Sequence, residues 1–575
     1  MKKWTKWAVT LGAAAIVIFG TSMISSAATG WVKTNGTWFY YNNSGEVVTD
    51  SWQRASDGKW YYLGEDGAML TNSWVEDGYM YYVNASGIMA SNEWKYLYGY
   101  NDEGSWEKSW YWFTGSGKMV TNAWLKSADG KWYYLGEDGA MLTNAWIDGA
   151  KKYYVDANGV MASSQWRYMY GIGEEDAEEK NWFWFDASGK MAAGQKLTIK
   201  GQDYYFGSDG KMLTGWIDTT ETPKTATAVG EGVIYTIKSG TRVKGWVKLY
   251  APGDEEEDEE MKSWYYITSA GEIKYNERTL INNKTYVFDE EGRMLTGWIQ
   301  SVTSAEEPQY KEIRSATGLD YTNILYAGGK DDGAVITAGW FYAAEPGDDV
   351  EDPNAERFWY YVGKDGTLVT AANQIATDSE AEAVPIAIGE NSTTEENGEA
   401  VGVLKIGAKY YGFDLNGKMI SGLWRFLRVA ESGSQFAEAN YYFGSDGAMK
   451  TGAVTLMQED EEIPYTYYFS TDTATFGRGL SGVKSTKLYD EGLLIKANED
   501  TTYGAAIVAG IAYIVNEDGK VMTGTSTTYA AANDIQYKII SGKVYYTTDG
   551  ETPTVESGEV VSGMDTDILH YTSMK

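Results

Sequence analysis

Cysteine is absent from this 575-residue chain, and histidine occurs once, as His570. The first absence excludes disulfides, a thiolate nucleophile and a cysteine-based zinc site. The second leaves little for acid–base chemistry, since His570 lies near the end of the sequence and reads as a solvent-exposed tail residue. No Ser-His-Asp constellation, histidine-rich zinc site or Gly-x-x-x-x-Gly-Lys phosphate loop is evident, so no catalytic, metal or cofactor residues are expected. Positive charge is scarce as well: 48 Lys and Arg face 81 Asp and Glu, a formal net charge of −33. That balance disfavours nucleic acid and anionic lipid as partners, and leaves cations, zwitterions and neutral sugars open.

Long apolar runs are missing after residue 28. Before it, Lys2, Lys3 and Lys6 precede a largely apolar stretch from Ala8 to Met23, and Ser26-Ala27-Ala28 offers small residues for cleavage. Residues 1–28 are therefore expected to be a signal peptide, with export and no membrane contact after cleavage. The stretch from Ile568 to Lys575 has neither an apolar tail nor a Leu-Pro-x-Thr-Gly motif, so retention at a surface is expected to be noncovalent. Acid is concentrated at Glu174-Glu175-Asp176 with Glu178-Glu179, at Asp254 to Glu260, and at Asp348-Asp349 with Glu351-Asp352. Each run falls between a Trp and the next aromatic cluster and reads as the solvated tip of an expanded hairpin, without the spacing of a calcium loop.

What the chain has in abundance is a repeat. The segment 59–72 (KWYYLGEDGAMLTN) recurs unchanged at 131–144, and Trp52 and Trp124, Trp60 and Trp132, Trp74 and Trp146, Trp94 and Trp166, and Trp110 and Trp182 are each 72 residues apart. Inside that period, Gly-x-Met marks a smaller unit at Gly67, Gly87, Gly117, Gly139, Gly159 and Gly189, three units to a block. Each reads as a Trp, a turn such as Asp57-Gly58, an aromatic run such as Trp60-Tyr61-Tyr62, a second turn at Asp66-Gly67, then Met69. Asp-Gly supplies positive φ for tight turns, and aromatic residues suit a pleated, half-buried surface. One hairpin of about 20 residues cannot bury a core of its own, so neighbours must stack. The expected fold is all-β, an elongated solenoid of stacked β-hairpin repeats of about 20–30 residues.

Of 24 tryptophans, only Trp340, Trp359 and Trp424 follow Trp298, although Gly417-Lys418-Met419 and Gly447-Ala448-Met449 show the repeat continuing. Residues 29–300 read as an aromatic-rich, ligand-competent array, and 301–575 as a degenerate array with long acidic loops, or with a small separate β domain at its end. The stretch from Gln374 to Ala400 reads as a linker or a large hairpin insertion, and Thr525 to Asn533 as a weak point. Carboxylate pairs for glycoside hydrolysis cannot be judged by counting where there are 81 acids, but no repeat-free stretch is long enough for a hydrolase domain. A catalytic part within 301–575 is the runner-up reading.

The pattern Trp-(x)n-Gly-x-Trp-Tyr-Tyr-Leu-x-x-x-Gly-x-Met-x-Thr-Gly-Trp resembles the choline-binding and glucan-binding repeats of bacterial cell-wall proteins, most strongly from Trp31 to Trp298. The resemblance implies a noncovalent wall anchor, with choline-substituted teichoic acid or a cell-wall or extracellular glycan as partner. It further implies an aromatic box around the quaternary ammonium: Trp52 and Trp60 with Tyr82 from the following hairpin and Met69 nearby, and a copy at Trp124, Trp132, Tyr154 and Met141. Trp31, Trp38, Trp110, Trp182, Trp246 and Trp264 are further candidate ligand-binding residues. Aromatic faces attract cations by of order 0.5–2 kcal/mol per ring and also stack on sugars, yet in a hairpin solenoid the same rings form the core.

Three departures from the pattern stand out. Met212 to Trp216 and Met294 to Trp298 are four apart, but Met69 to Trp74, Met119 to Trp124 and Met141 to Trp146 are five apart. The extra residue is expected to move the Trp to the other face or to form a bulge. Met80 and Lys152 also replace the first aromatic of their hairpins.

Overall fold

In the computed structural model the described residues are 29–100, 105–174, 179–254, 259–303, 308–329, 331–348, 352–374, 380–389, 398–429, 438–458 and 463–562. The expected signal peptide, His570 and the centres of the acidic runs lie outside them. The regular secondary structure of the described chain is nearly all strand, with one four-residue helical segment at Ala371–Gln374 and three 3-10 turns. No helix among the described residues is long and apolar enough to cross a membrane.

One repeat shows how the sequence builds the unit. Ser51–Arg54 pairs antiparallel with Trp60–Leu63 around the turn at Asp57-Gly58, where Gly58 has a φ of 80°. Asp57 Oδ1 accepts the Lys59 N–H at 3.0 Å, which fixes the turn. After Leu63 the chain reverses again, and Met69 bridges Leu63 while donating its N–H to the Trp38 carbonyl of the preceding hairpin at 2.7 Å. The stitch recurs from Met89 to Trp60, Met141 to Trp110, Met161 to Trp132 and Met212 to Trp182. The hairpins are thus sewn to one another by main-chain bonds as well as by packing.

The Gly-x-Met signature has a steric cause. At Gly87, with a φ of 78°, a Cβ would lie 2.7 Å from Met69 Cε of the preceding repeat. Only glycine offers both that backbone conformation and that approach. The residue ending each second strand forms the core: Leu63, Val83, Phe113, Leu135, Val155, Phe185 and Phe206 are fully buried. Each contributes on the order of 1.5–3 kcal/mol by burial.

The expected flip of Trp74, Trp124 and Trp146 does not occur. Asn72, Asn122 and Asn144 adopt left-handed conformations, φ 46°, 46° and 45°, and absorb the added residue before the strand begins. Trp74 meets Tyr82 at 5.5 Å and 69°, much as Trp216, after the shorter spacing, meets Tyr235 at 5.1 Å and 72°.

The chain divides into two compact units, the first running to residue 243 without 227–231, and the second holding 227–231 and everything from Lys244 onward. The first is built almost wholly of two-stranded hairpins. In the second, two-stranded hairpins alternate with wider sheets. Glu380–Ile386 pairs with Glu399–Ile406 on one side and Gly422–Val429 on the other, inside a five-stranded sheet. The described part of the Gln374–Ala400 stretch is therefore a hairpin insertion rather than a linker. Thr528–Ala530, within the expected weak point, is an edge strand of a four-stranded sheet. Tyr360, Tyr441, Tyr467 and Tyr537 are fully buried there, together with Phe288, Phe413, Phe443 and Phe469.

Candidate functional site

Strand alternation places an inner and an outer aromatic on one face of each hairpin. In the hairpin of Glu93–Tyr100 and Trp106–Phe113, Trp94 lies opposite Trp112, and Tyr96 opposite Trp110, so Trp94 and Trp110 are diagonal neighbours on one face. Their rings meet edge-on, 6.5 Å apart at 89°. The next hairpin brings Tyr133 against Trp94 at 5.5 Å and 71°, and its Met141 donates to the Trp110 carbonyl at 2.8 Å. The result is a corner of two tryptophans and a tyrosine beside a methionine backbone, with Trp110 43 % exposed.

The arrangement recurs. Trp166 meets Trp182 at 6.3 Å and Tyr204 at 4.8 Å, with Met212 stitched to Trp182; Trp246 meets Trp264 at 6.5 Å and Tyr286 at 4.6 Å, with Met294 stitched to Trp264. Trp31 meets Tyr61 beside Trp38 and Met69; Trp52 meets Tyr81 beside Trp60 and Met89; Trp124 meets Tyr153 beside Trp132 and Met161. Past residue 300, Trp340 meets Tyr411 at 4.8 Å beside Trp359 and Met419. The outer tryptophans Trp38, Trp60, Trp132, Trp182 and Trp359 are 38–45 % exposed.

The grouping differs from the expected one by one residue. Tyr82 meets Trp74 of its own hairpin and Phe113, and Tyr154 meets Trp146 and Phe185, so neither stands in the box of Trp52 or Trp124. Adjacent strand residues point to opposite faces, and the face turned to the preceding hairpin is that of Tyr81 and Tyr153. Met69 and Met141 likewise serve Trp38 and Trp110, because the stitch joins each methionine to the hairpin before it. Sequence reasoning missed Trp94, Trp166, Trp340 and Trp359; their 72-residue partners, or the Trp-Tyr-Tyr run at Trp359, carried the signal.

The box tyrosines are oriented by their own turns. Tyr61 donates its hydroxyl to Asp57 Oδ2, and Tyr133 donates to Asp129 Oδ2, both at 2.9 Å. The Lys59 backbone N–H, aided by the Tyr61 hydroxyl, holds the Asp57 carboxyl below its usual range, and the Lys131 N–H does the same for Asp129. Both tyrosines are pushed up, by burial first and then by that bond, so their hydroxyls stay protonated donors.

Three sites show what the box is not. Met80 and Lys152 take the outer position beside Trp74 and Trp146, and there the inner indole N–H is capped by the Tyr98 and Tyr170 carbonyls at 2.8 and 3.2 Å. At Trp298 the outer position is Ile324, and Tyr360 and Phe341 close in until Trp298 is 2 % exposed. The same backbone therefore carries either an open corner or plain core. Among the described residues no cluster of three or more acidic or histidine side chains is placed to hold a metal.

Residues 46–88 and 118–161 match the profile of the choline-binding repeat, and residues 29–47, 178–191 and 197–212 that of the cell wall binding repeat. The chain is 25% identical over 340 residues to Glucosyltransferase-I of Streptococcus downei, covering 52% of this chain and 18% of that protein. It is 28% identical over 211 residues to Glucosyltransferase-S of Streptococcus mutans serotype c, covering 36% and 11%. The chain thus spans under a fifth of the length of these curated relatives. Among solved structures, the choline-binding domain of CbpL from Streptococcus pneumoniae is 28% identical, over 38% of this chain and 98% of that one, with a TM-score of 0.27. Choline binding protein F of the same organism is 22% identical, over 60% and 100%, with a TM-score of 0.28. Between residues 29 and 212 the chain thus carries repeats that match the choline-binding and cell wall binding repeat profiles.

Proposed function

We propose that this is an exported, noncatalytic wall-binding protein whose aromatic boxes grip the quaternary ammonium of choline on teichoic acid, holding the chain to the wall without a covalent bond. The observation that carries this reading is the recurrence of one corner, Trp-Trp-Tyr beside Met, with its outer tryptophan left open at Trp38, Trp60, Trp110, Trp132, Trp182 and Trp359, against Trp298, which the same fold buries. Negative ring faces on three sides suit a methylated cation, and several weak sites on one chain multiply through avidity. All the boxes but that of Trp340 and Trp359 precede residue 300, so most of the binding is assigned to 29–300.

The test is retention on a tertiary-amine matrix and elution with choline, for the whole chain and for 29–300 and 301–575 separately. Whole chain and 29–300 are expected to be held strongly and released by millimolar choline, and 301–575 to be held weakly. Elution by salt alone would show charge attraction of an acidic chain and defeat the reading. A glycan-binding adhesin is the second reading, favoured by Lys152 and Met80 in place of outer aromatics. It predicts binding to wall glycan that choline does not compete.

A further inference from the structure

In the first unit, hairpins stack through one recurring face. Two alternate residues of the second strand share that face, and both meet the inner tryptophan of the hairpin before: Tyr111 and Phe113 meet Trp74 at 4.9 and 5.8 Å, and Tyr204 and Phe206 meet Trp166 at 4.8 and 5.6 Å. The stitch completes the contact, since each Gly-x-Met methionine from Met69 to Met212 donates its N–H to the preceding hairpin.

The hairpin of Gly30–Thr34 and Thr37–Tyr41 has the same face and, among the described residues, no hairpin before it. Val32 lies opposite Phe39, and Tyr41 stands two residues farther along that face. All three are half-buried, whereas the residue in the place of Tyr41 is fully buried in every hairpin from that of Leu63 to that of Phe206. Val47 takes the place of the stitching methionine. It bridges Tyr41, and because Val48 N–H bonds the Tyr40 carbonyl and Asn42 N–H bonds the Glu46 carbonyl, both at 2.9 Å, the Val47 N–H points away from its own hairpin. It makes no stitch among the described residues. A solenoid end that stays single is closed by polar side chains, but this one presents apolar rings and an idle donor.

Charge leaves the same end open to a like partner. Residues 29–45 hold no acid, and Lys33 is their only charged side chain, in a chain of net charge −33. The first acid, Glu46, accepts a hydrogen bond from Asn42 Nδ2 at 3.1 Å. Copies of so acidic a chain repel one another over most of their surface, and here they can meet. A head-to-tail contact within the first unit has nowhere to seat, because every inner tryptophan from Trp31 to Trp166 already carries a ring from the hairpin after it. Pairing of like ends, which closes on itself, remains.

We propose that the first hairpin is a self-association surface, on which two copies of this chain meet head to head through Val32, Phe39 and Tyr41 and withdraw the Val47 amide from water. One hairpin face is smaller than the about 800 Å² that each partner gives to a standard interface, so the pairing is weak and reversible, on the order of 10–100 μM. A pair carries twice the corners of one chain, so whatever the corners hold is held with added avidity.

The exported chain, from Thr29 onward, is followed by sedimentation velocity between about 1 and about 200 μM, with and without choline. Monomer is expected at the low end and a growing share of dimer at the high end, equally in both solutions. Phe39→Glu, and separately Val32→Lys on the paired strand, should raise the dissociation constant roughly tenfold or more by placing a charge in the contact. Near-ultraviolet circular dichroism and amine-matrix retention like those of wild type show that the variants fold. In the wild-type chain, hydrogen exchange at the Val47 amide should be fast in dilute solution and slow in concentrated solution. A chain that stays monomeric throughout, association that both folded variants leave unchanged, or association that requires choline would each overturn the assignment. Protection of the Val47 amide that does not vary with concentration would show that the chain covers its own end, and would overturn it too. Loss of amine retention with association intact would instead defeat the wall-choline reading alone.

Discussion

Leu135 and Trp132 stand three residues apart in one strand and carry different burdens. Leu135 is fully buried, so Leu135→Ala is expected to cost about 2–5 kcal/mol, visible as an earlier melt of the neighbouring hairpins. Trp132 is 39 % exposed and Trp60 41 %, so their truncation should open little cavity. Trp60→Ala is expected to weaken amine-matrix retention modestly, and Trp60→Ala with Trp132→Ala far more, while both variants melt close to wild type. A double variant that unfolds early, and whose folded fraction is retained as wild type, would return these rings to the core and end the box hypothesis. Trp52, Trp60, Trp124 and Trp132 were legible in the sequence because they repeat with the Asp-Gly turns, whereas Trp94 and Trp166 were passed over although they repeat as well. Their tyrosine partner was not: alternation says that Tyr81 and Tyr82 oppose each other, but not which face the preceding hairpin covers.

A hairpin is held to its predecessor by a stitch and by a glycine. Gly117 has a φ of 80°, and a Cβ there would sit 2.4 Å from Met89 Sδ. Gly117→Ala should therefore cost at least ~1–2 kcal/mol from the backbone alone, with displacement of Met89 added. Hydrogen exchange is expected to quicken at the Met89 amide, which bonds the Trp60 carbonyl at 2.9 Å, before the rest of the unit opens. Unchanged exchange there would show that the methionine contact does not couple the hairpins. At this scale the hairpin unit and its stacking were readable from spacing alone. The effect of the extra residue before Trp74, Trp124 and Trp146 was misjudged, since left-handed asparagine absorbs a residue that an ordinary strand would convert into a flip. Nor does spacing reveal that Glu380–Ile386 enters a five-stranded sheet, because that pairing is set by tertiary contacts rather than by a local turn.

For the whole molecule, the second unit contains a pH-sensitive element in Asp414. Burial raises its carboxyl above the usual range, although Oδ1 accepts the N–H groups of Asn416 and Lys418 at 2.9 and 2.8 Å. A group whose folded pKa is raised contributes stability present at low pH and lost as pH climbs through that folded value. Asp414→Asn keeps an acceptor and removes the charge, so its melting temperature should gain on wild type as pH rises from about 4 to 7. A constant difference across that range would show that the buried carboxyl is not protonated more readily in the folded state. The first unit has its own large-scale property, which follows from the stitch. Each corner is finished by the hairpin after it, and the segments 59–72 and 131–144 are identical. Recombination between their coding sequences would excise or duplicate one 72-residue block and leave every junction in frame and in register. The number of aromatic corners can therefore change between generations by whole blocks, with no intermediate that must refold around an unfinished one.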